Sequence, residues 1–156
     1  MQKMLDEMPA KEYITCQQSV GMYIFEIHST PRPQRQTQQG LSFTGKKVFY
    51  DPSKLNKKSI QWQIMPHAPK EPLLGSIEMH LTFYLPIPKQ IRGIERTQME
   101  TNTIKHFIRP DLDNLAYLVT NALKGIVYRD DSQIVKMVLE KMYGTQPKTV
   151  IKVFEV

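Results

Sequence analysis

The segment SIEMHLTFYL, residues 76–85, alternates without interruption. Ile77, Met79, Leu81 and Phe83 fall on one face, and Glu78, His80, Thr82 and Tyr84 on the other. Alternation of this length describes a strand with one face in a core and one toward solvent. Pro86 and Pro88 end it, because proline cannot donate to a ladder. A chain carrying such a strand must cover the apolar face, and the rest of the sequence offers strands and helices to do so.

Residues 21–29, GMYIFEIHS, read as a second strand. QIVKMVLEKMYG and TVIKVFEV read as two more, expected to pair with each other across a turn at residues 144–148. TIKHFI, residues 103–108, predicts a further short strand. Leu112, Leu115, Leu118, Val119, Ala122 and Leu123 form an amphipathic helical pattern, with Gly125 where a left-handed terminal residue is expected. A second helix is predicted from a cap at Asp51 and Pro52 in its first turn to about Met65. Its apolar members would be Leu55, Ile60, Trp62 and Ile64, and Pro66 and Pro69 follow it. TPRPQRQTQQG reads as an exposed loop, and KQIRGIERTQMETNT fits either a short helix or a loop. The expected fold class is α+β: a mixed sheet of four to five strands with two or more helices packed on it. The 156 residues suit a single domain.

No apolar run approaches the length of a membrane span, and MQKMLDEMPAKEY lacks the apolar stretch of a signal peptide. Cys16 is the only cysteine, so no internal disulfide and no paired-cysteine metal site can form. It reads as a small semi-buried hydrophobe, and a cytoplasmic location is expected. The formal charge is +6, and it is uneven. Residues 31–60 carry Arg32, Arg35, Lys46, Lys47, Lys54, Lys57 and Lys58 against Asp51. Residues 86–110 carry Lys89, Arg92, Arg96, Lys105 and Arg109 against Glu95 and Glu100. Two basic segments fit a polyanion partner, most simply nucleic acid, or else solvated surface charge.

Against that background, RPDLDNLAYLVTNALKGIVYRDDSQI, residues 109–134, places Asp111 and Asp113 at the start of the amphipathic helix and Asp130 and Asp131 after its end. Capping accounts for one aspartate at a helix start, but not for two plus a second pair. A helix of this size is roughly 18 Å long, so the tract IVYR must bring the chain back along it if the acids are to converge. Crowded carboxylates need a cation, and oxygen ligands without a Cys or His cluster favour Mg²⁺ or Mn²⁺ over zinc. An acidic metal site within a basic surface suits phosphodiester cleavage. An EF-hand is excluded by Ala116 and Ala122 where that loop needs glycine and glutamate. His28, His67, His80 and His106 are scattered and read as surface or interior residues.

The run RPDLDNLAYLVTNALKGIVYRDDSQIV, with its D-x-D-N start, AL-x-G-x-x-Y step and D-D-x-Q-I close, resembles the RusA family of Holliday junction resolvases. PRPQRQT, YDP and LPIPKQ are similar to more variable features of that family. The resemblance runs from about residue 21, which makes 21–156 the RusA-like nuclease domain and 1–20 an N-terminal extension. It implies a homodimeric, Mg²⁺-dependent endodeoxyribonuclease that cuts four-way DNA junctions in recombination and repair, with no small-molecule cofactor and no membrane partner. Mn²⁺ would substitute for Mg²⁺. It also implies that Asp111, Asp113 and Asp131 are the catalytic metal ligands, with Asp130 as a neighbouring acid. Arg109, Lys105, Arg32, Arg35 and Lys124 are the candidate DNA contacts.

One position departs from the family. Where its pattern places a lysine four residues after the second motif aspartate, this chain has Tyr117, and Asn121 stands where aspartate is common. Residues 113 and 117 share a helix face; a tyrosine there donates one hydrogen bond but brings no positive charge. Lys124 or Lys105 is available to compensate. Two readings follow: a metal-dependent junction nuclease, or a junction-binding relative that has lost cleavage.

Overall fold

The computed structural model describes residues 21–156. The expected extension 1–20, with Cys16, lies outside the described residues. Six strands, β1 (Met22–Ile27), β2 (Gln38–Leu41), β3 (Lys47–Tyr50), β4 (Ile77–Pro86), β5 (Ile134–Gly144) and β6 (Lys148–Glu155), accompany three helices, α1 (Lys54–Ile64), α2 (Gly93–Glu100) and α3 (Leu112–Leu123). Four strands form a mixed sheet in the order β1-β6-β4-β5, and β2 and β3 form a separate two-stranded ribbon. This is the α+β architecture expected from the sequence. No described helix is long and apolar enough to cross a membrane.

The alternation in β4 is realised: Ile77, Met79, Leu81, Phe83 and Leu85 are buried and the residues between them are only partly so. In register, Phe25 of β1 pairs with Ile151 of β6, Ile151 with Leu81 of β4, and Leu81 with Leu139 of β5. That row carries the core across the sheet to Leu115, Leu118, Val119 and Leu123 of α3 and Ile60 and Ile64 of α1. Burying each such side chain contributes about 1.5–3 kcal/mol. A smaller apolar cluster of Ile87, Met99 and Tyr143 seats α2 beside the end of β5.

Several expectations are corrected. β6 does not pair with β5; it inserts between β1 and β4, antiparallel to both, and β5 lies parallel to β4 at the sheet edge. Thr149, Ile151 and Val153 are buried, as befits a central strand, whereas exposed Lys136 and Glu140 suit β5 to an edge. Gly144 permits the close approach at the end of β5, since a Cβ there would stand 2.8 Å from that of Tyr84. TIKHFI forms no strand, the last three residues of the Gln-rich loop belong to β2, and α2 resolves the ambiguous stretch as a helix. α1 takes Ser53 rather than Asp51 as its cap residue, although the Asp51 carboxylate accepts from the Ser53 amide at 2.8 Å. Its buried members are Ile60 and Ile64, one turn apart. Leu55 and Trp62 are instead exposed.

Candidate functional site

α3 is the element that positions the acids. Seven of its residues are buried, so its orientation is set by the core. Asp111 occupies its N-cap position with extended backbone, yet its side chain makes no capping hydrogen bond. Asp113 lies in the first turn, and both aspartates are exposed. Two carboxylates at the positive end of a helix, neither spent on the helix itself, are available to a cation.

The other acidic pair is reached through a tight reversal. Gly125 adopts φ +79°, the left-handed conformation expected after a helix. Its amide donates to the Tyr128 carbonyl at 2.7 Å. The buried Tyr128 hydroxyl serves both the Thr120 carbonyl at 2.9 Å and Asp131 Oδ1 at 3.0 Å. Burial, followed by the charge of Asp131, raises the Tyr128 pKa, so the phenol remains a donor. Asp130 and Gln133 form a capping box around the next turn. Gln133 Oε1 accepts from the Arg129 and Asp130 amides, and its Nε2 donates to the Leu73 and Gly75 carbonyls. The double aspartate is thereby tied to both α3 and the segment before β4.

Lys124 closes the arrangement from outside, with Nζ 2.9 Å from Asp130 Oδ2 and 3.4 Å from Asp131 Oδ2. Its pKa is raised by Asp130 first and Asp131 second. Asp130 is held down to about 2 by the Ser132 amide and then by Lys124. Lys124 is thus engaged with carboxylates in this structure, although the sequence marked it as a DNA contact.

The reversal brings Asp131 beside Thr120, not back to the helix start. Thr120 is seven residues beyond Asp113, roughly 10 Å along the axis. Tyr117, 56% exposed, lies between them on the stripe 113, 117, 120, 124. With Thr120, Asp131 and the start of β5, Tyr117 lines a depression of about 410 Å³. Asp111 instead lines a larger groove of about 680 Å³, together with Arg32 and Arg109. Among the described residues no group of three or more His, Cys, Asp or Glu side chains is placed to hold a metal ion. The donor chemistry nonetheless suits a hard divalent cation, since carboxylate oxygens stand at both ends of the stripe and the Lys124 ammonium is already a cation bridging Asp130 and Asp131.

Of the basic candidates, Arg32 and Arg109 meet at the groove beside Asp111. Lys105 and Arg35 are exposed and line none of the depressions described. The Arg35 amide donates to the Ser53 hydroxyl at 2.8 Å, which ties its loop to the cap of α1. Sequence reasoning gave no role to Tyr128, Gln133 or Lys141, although the tyrosine and glutamine stood inside the quoted motif. Lys141 Nζ donates to the Ile108 and Pro110 carbonyls at 2.7 and 2.8 Å, fixing the loop that presents Arg109 and Asp111. A lysine on an alternating strand carries no sequence mark of that task.

The pattern of the family described as endodeoxyribonuclease RusA matches residues 26–154. The chain is 32% identical over 136 residues to the crossover junction endodeoxyribonuclease rusA of Lactococcus phage r1t, covering 85% of this chain and 97% of that protein. It is 28% identical over 136 residues to the uncharacterized protein YqaN of Bacillus subtilis (strain 168), covering 85% of this chain and 95% of that one.

Proposed function

The chain belongs to the endodeoxyribonuclease RusA family, and from that membership we propose that it is a metal-dependent, structure-specific nuclease that resolves four-way DNA junctions. It would act as a cytoplasmic homodimer, since two-fold symmetry matches two active sites to two strands of one junction. The observation that carries the reading is the pair of exposed carboxylates, Asp111 and Asp113, at the head of a buried helix with Arg32 and Arg109 beside Asp111.

In this reading Asp111, Asp113 and Asp131 would hold Mg²⁺, for which Mn²⁺ would substitute, with Asp130 next to them; this requires the acidic turn to move toward the start of α3, since the described residues do not gather the three carboxylates. When bound, the ion would supply Lewis-acid activation of the scissile phosphate. Arg109 and Arg32 hold phosphate oxygens with guanidinium forks, and Lys105 and Arg35 extend the basic surface along the strand. Lys124 neutralises the acidic turn and steers the backbone toward it. Tyr128 and Gln133 position Asp131 and contact no substrate.

The test is cleavage of a synthetic four-way junction with Mg²⁺, beside Asp113→Asn, at one fixed salt concentration because phosphate contacts make affinity salt-dependent. Wild type should cut symmetrically, and the variant should bind the junction at least as tightly and fail to cut. Equal affinity for junction and linear duplex would count against a resolvase. A second reading, a junction binder without cleavage, is favoured by Tyr117, which puts an uncharged ring on the stripe between Asp113 and Lys124. Binding without cutting across a range of Mg²⁺ and Mn²⁺ concentrations would select it.

A further inference from the structure

We propose that the groove at the head of α3 receives one unstacked nucleotide of the bound strand, its base against the Tyr143–His106 wall and its phosphate held by Arg32 and Arg109. The inference deepens the nuclease reading and rests on it for the identity of the ligand. The groove is about 680 Å³, within the range of sites that enclose small organic molecules. It is far larger than a phosphate requires. One side is the segment with Arg32, and the other is the loop with Arg109 and Asp111. Prolines from both sides and from the end of β4 make much of the lining apolar. Phosphate contacts alone give such a surface nothing to do, whereas the π-face of a base is satisfied by aromatic and apolar walls.

Two polar groups suit the base edge. Asn114 lines the groove one turn into α3, and asparagine amides pair with base edges through a donor and an acceptor together. His106 is 6% exposed, packs against Tyr143 with ring centroids 4.6 Å apart, and its Nδ1 has no hydrogen-bond partner. An unpaired buried nitrogen costs about 1–3 kcal/mol, a cost that a polar edge entering the groove would offset. Burial, and then the nearby Lys141 ammonium, lower its pKa, which leaves a neutral imidazole able both to donate and to accept. Because Lys141 pins the carbonyls of Ile108 and Pro110, the groove is formed before any ligand arrives.

The test uses junctions carrying 5-iodouracil at single positions around the crossover, irradiated with the wild-type chain in metal-free buffer, so that binding is read without cutting. A nucleotide adjacent to the crossover should crosslink to Tyr143 or His106, mapped by mass spectrometry. In a companion assay, His106→Phe and Asn114→Ala are given a junction with randomised arm sequences and Mg²⁺. Both variants should flatten the sequence preference at the cut by roughly tenfold, the scale of one lost base-edge contact. Junction affinity should change by less than about threefold, because phosphates dominate it. His106→Phe removes the unpaired nitrogen while keeping a ring, so its melting temperature should be unchanged or raised. Crosslinks that map only to other surfaces of a bound complex, or cut profiles identical to wild type, overturn the inference and leave the nuclease reading standing. A chain that crosslinks at Tyr143 but never cuts keeps the groove assignment and removes the nuclease reading. Failure to bind junctions removes both.

Discussion

The Tyr128 hydroxyl lies 3.0 Å from Asp131 Oδ1 and 2.9 Å from the Thr120 carbonyl, so one buried phenolic proton ties the acidic turn to the body of α3. Lys124 faces the same aspartate from solvent at 3.4 Å. The two donors differ in kind: the phenol is neutral and fixed by packing, whereas the ammonium sits on an exposed, flexible stem and can be displaced by another cation.

Tyr128→Phe should cost about 1 kcal/mol in urea unfolding. The loss is modest because the Thr120 carbonyl keeps the Lys124 amide as a donor. The larger consequence should be at Asp131, which loses its internal anchor. Half-saturation by Mn²⁺, followed by paramagnetic titration of the protein alone, should move to higher concentration.

Lys124→Met should leave the melting temperature close to that of wild type, as expected for an exposed ion pair. It should also strengthen Mn²⁺ binding by removing a competitor from Asp130 and Asp131. Carboxyl NMR should show Asp130 titrating above its wild-type value of about 2, though still lowered, because the Ser132 amide, the larger cause, remains. In wild type the depressed value means that Asp130 contributes stability fully above the unfolded range near 3.8. That contribution fades as pH falls toward about 2.

His106 predicts a second pH dependence of the opposite chemical type. Its folded pKa lies below the ordinary 6.5, so the unfolded chain takes up the proton first. Stability should therefore be complete above that value and decline as pH falls through it, by at most about 1.4 kcal/mol per pH unit. Thermal unfolding between pH 7.5 and 5, roughly the range over which histidine charges, should show a steeper decline in wild type than in His106→Phe.

Tyr117→Lys restores a positive charge on the stripe between Asp113 and Lys124. Since Tyr117 is 56% exposed, melting should change by no more than about 0.5 kcal/mol. Single-turnover cleavage of a junction should accelerate. An unchanged rate in a variant that still binds junctions would mean that the tyrosine is not a catalytic deficit.

Much of the fold was legible because two elements carry unmixed periods. β4 alternates over its whole length, and α3 repeats apolar residues at helical spacing up to Gly125. The β2–β3 ribbon was missed because its residues are almost all exposed; without a buried face, no alternation marks a strand. Placing β5 beside β6 followed from their adjacency in the chain, but burial of Thr149, Ile151 and Val153 sends β6 to the sheet interior. The acids themselves stood out by composition, as did the basic flanks. Their relative placement did not, because it depends on where Tyr128 and Gln133 anchor the reversal after α3, and sequence spacing carries no direction. The groove beside Asp111 was invisible for a similar reason: Arg32, the pair His106 and Arg109, and Tyr143 come from three separate stretches that only the fold gathers.

The parallel pairing of β4 with β5 has a kinetic consequence. Between those neighbours the chain travels through α2 and α3 and the acidic turn before it returns, and closing so long an excursion is entropically slow compared with forming a hairpin. Until β5 has zipped onto β4, Lys141 is not held at the Ile108 and Pro110 carbonyls behind Arg109. The loop that presents Arg109 and Asp111 is therefore among the last parts of the molecule to be braced, because its brace sits on the strand that closes the sheet.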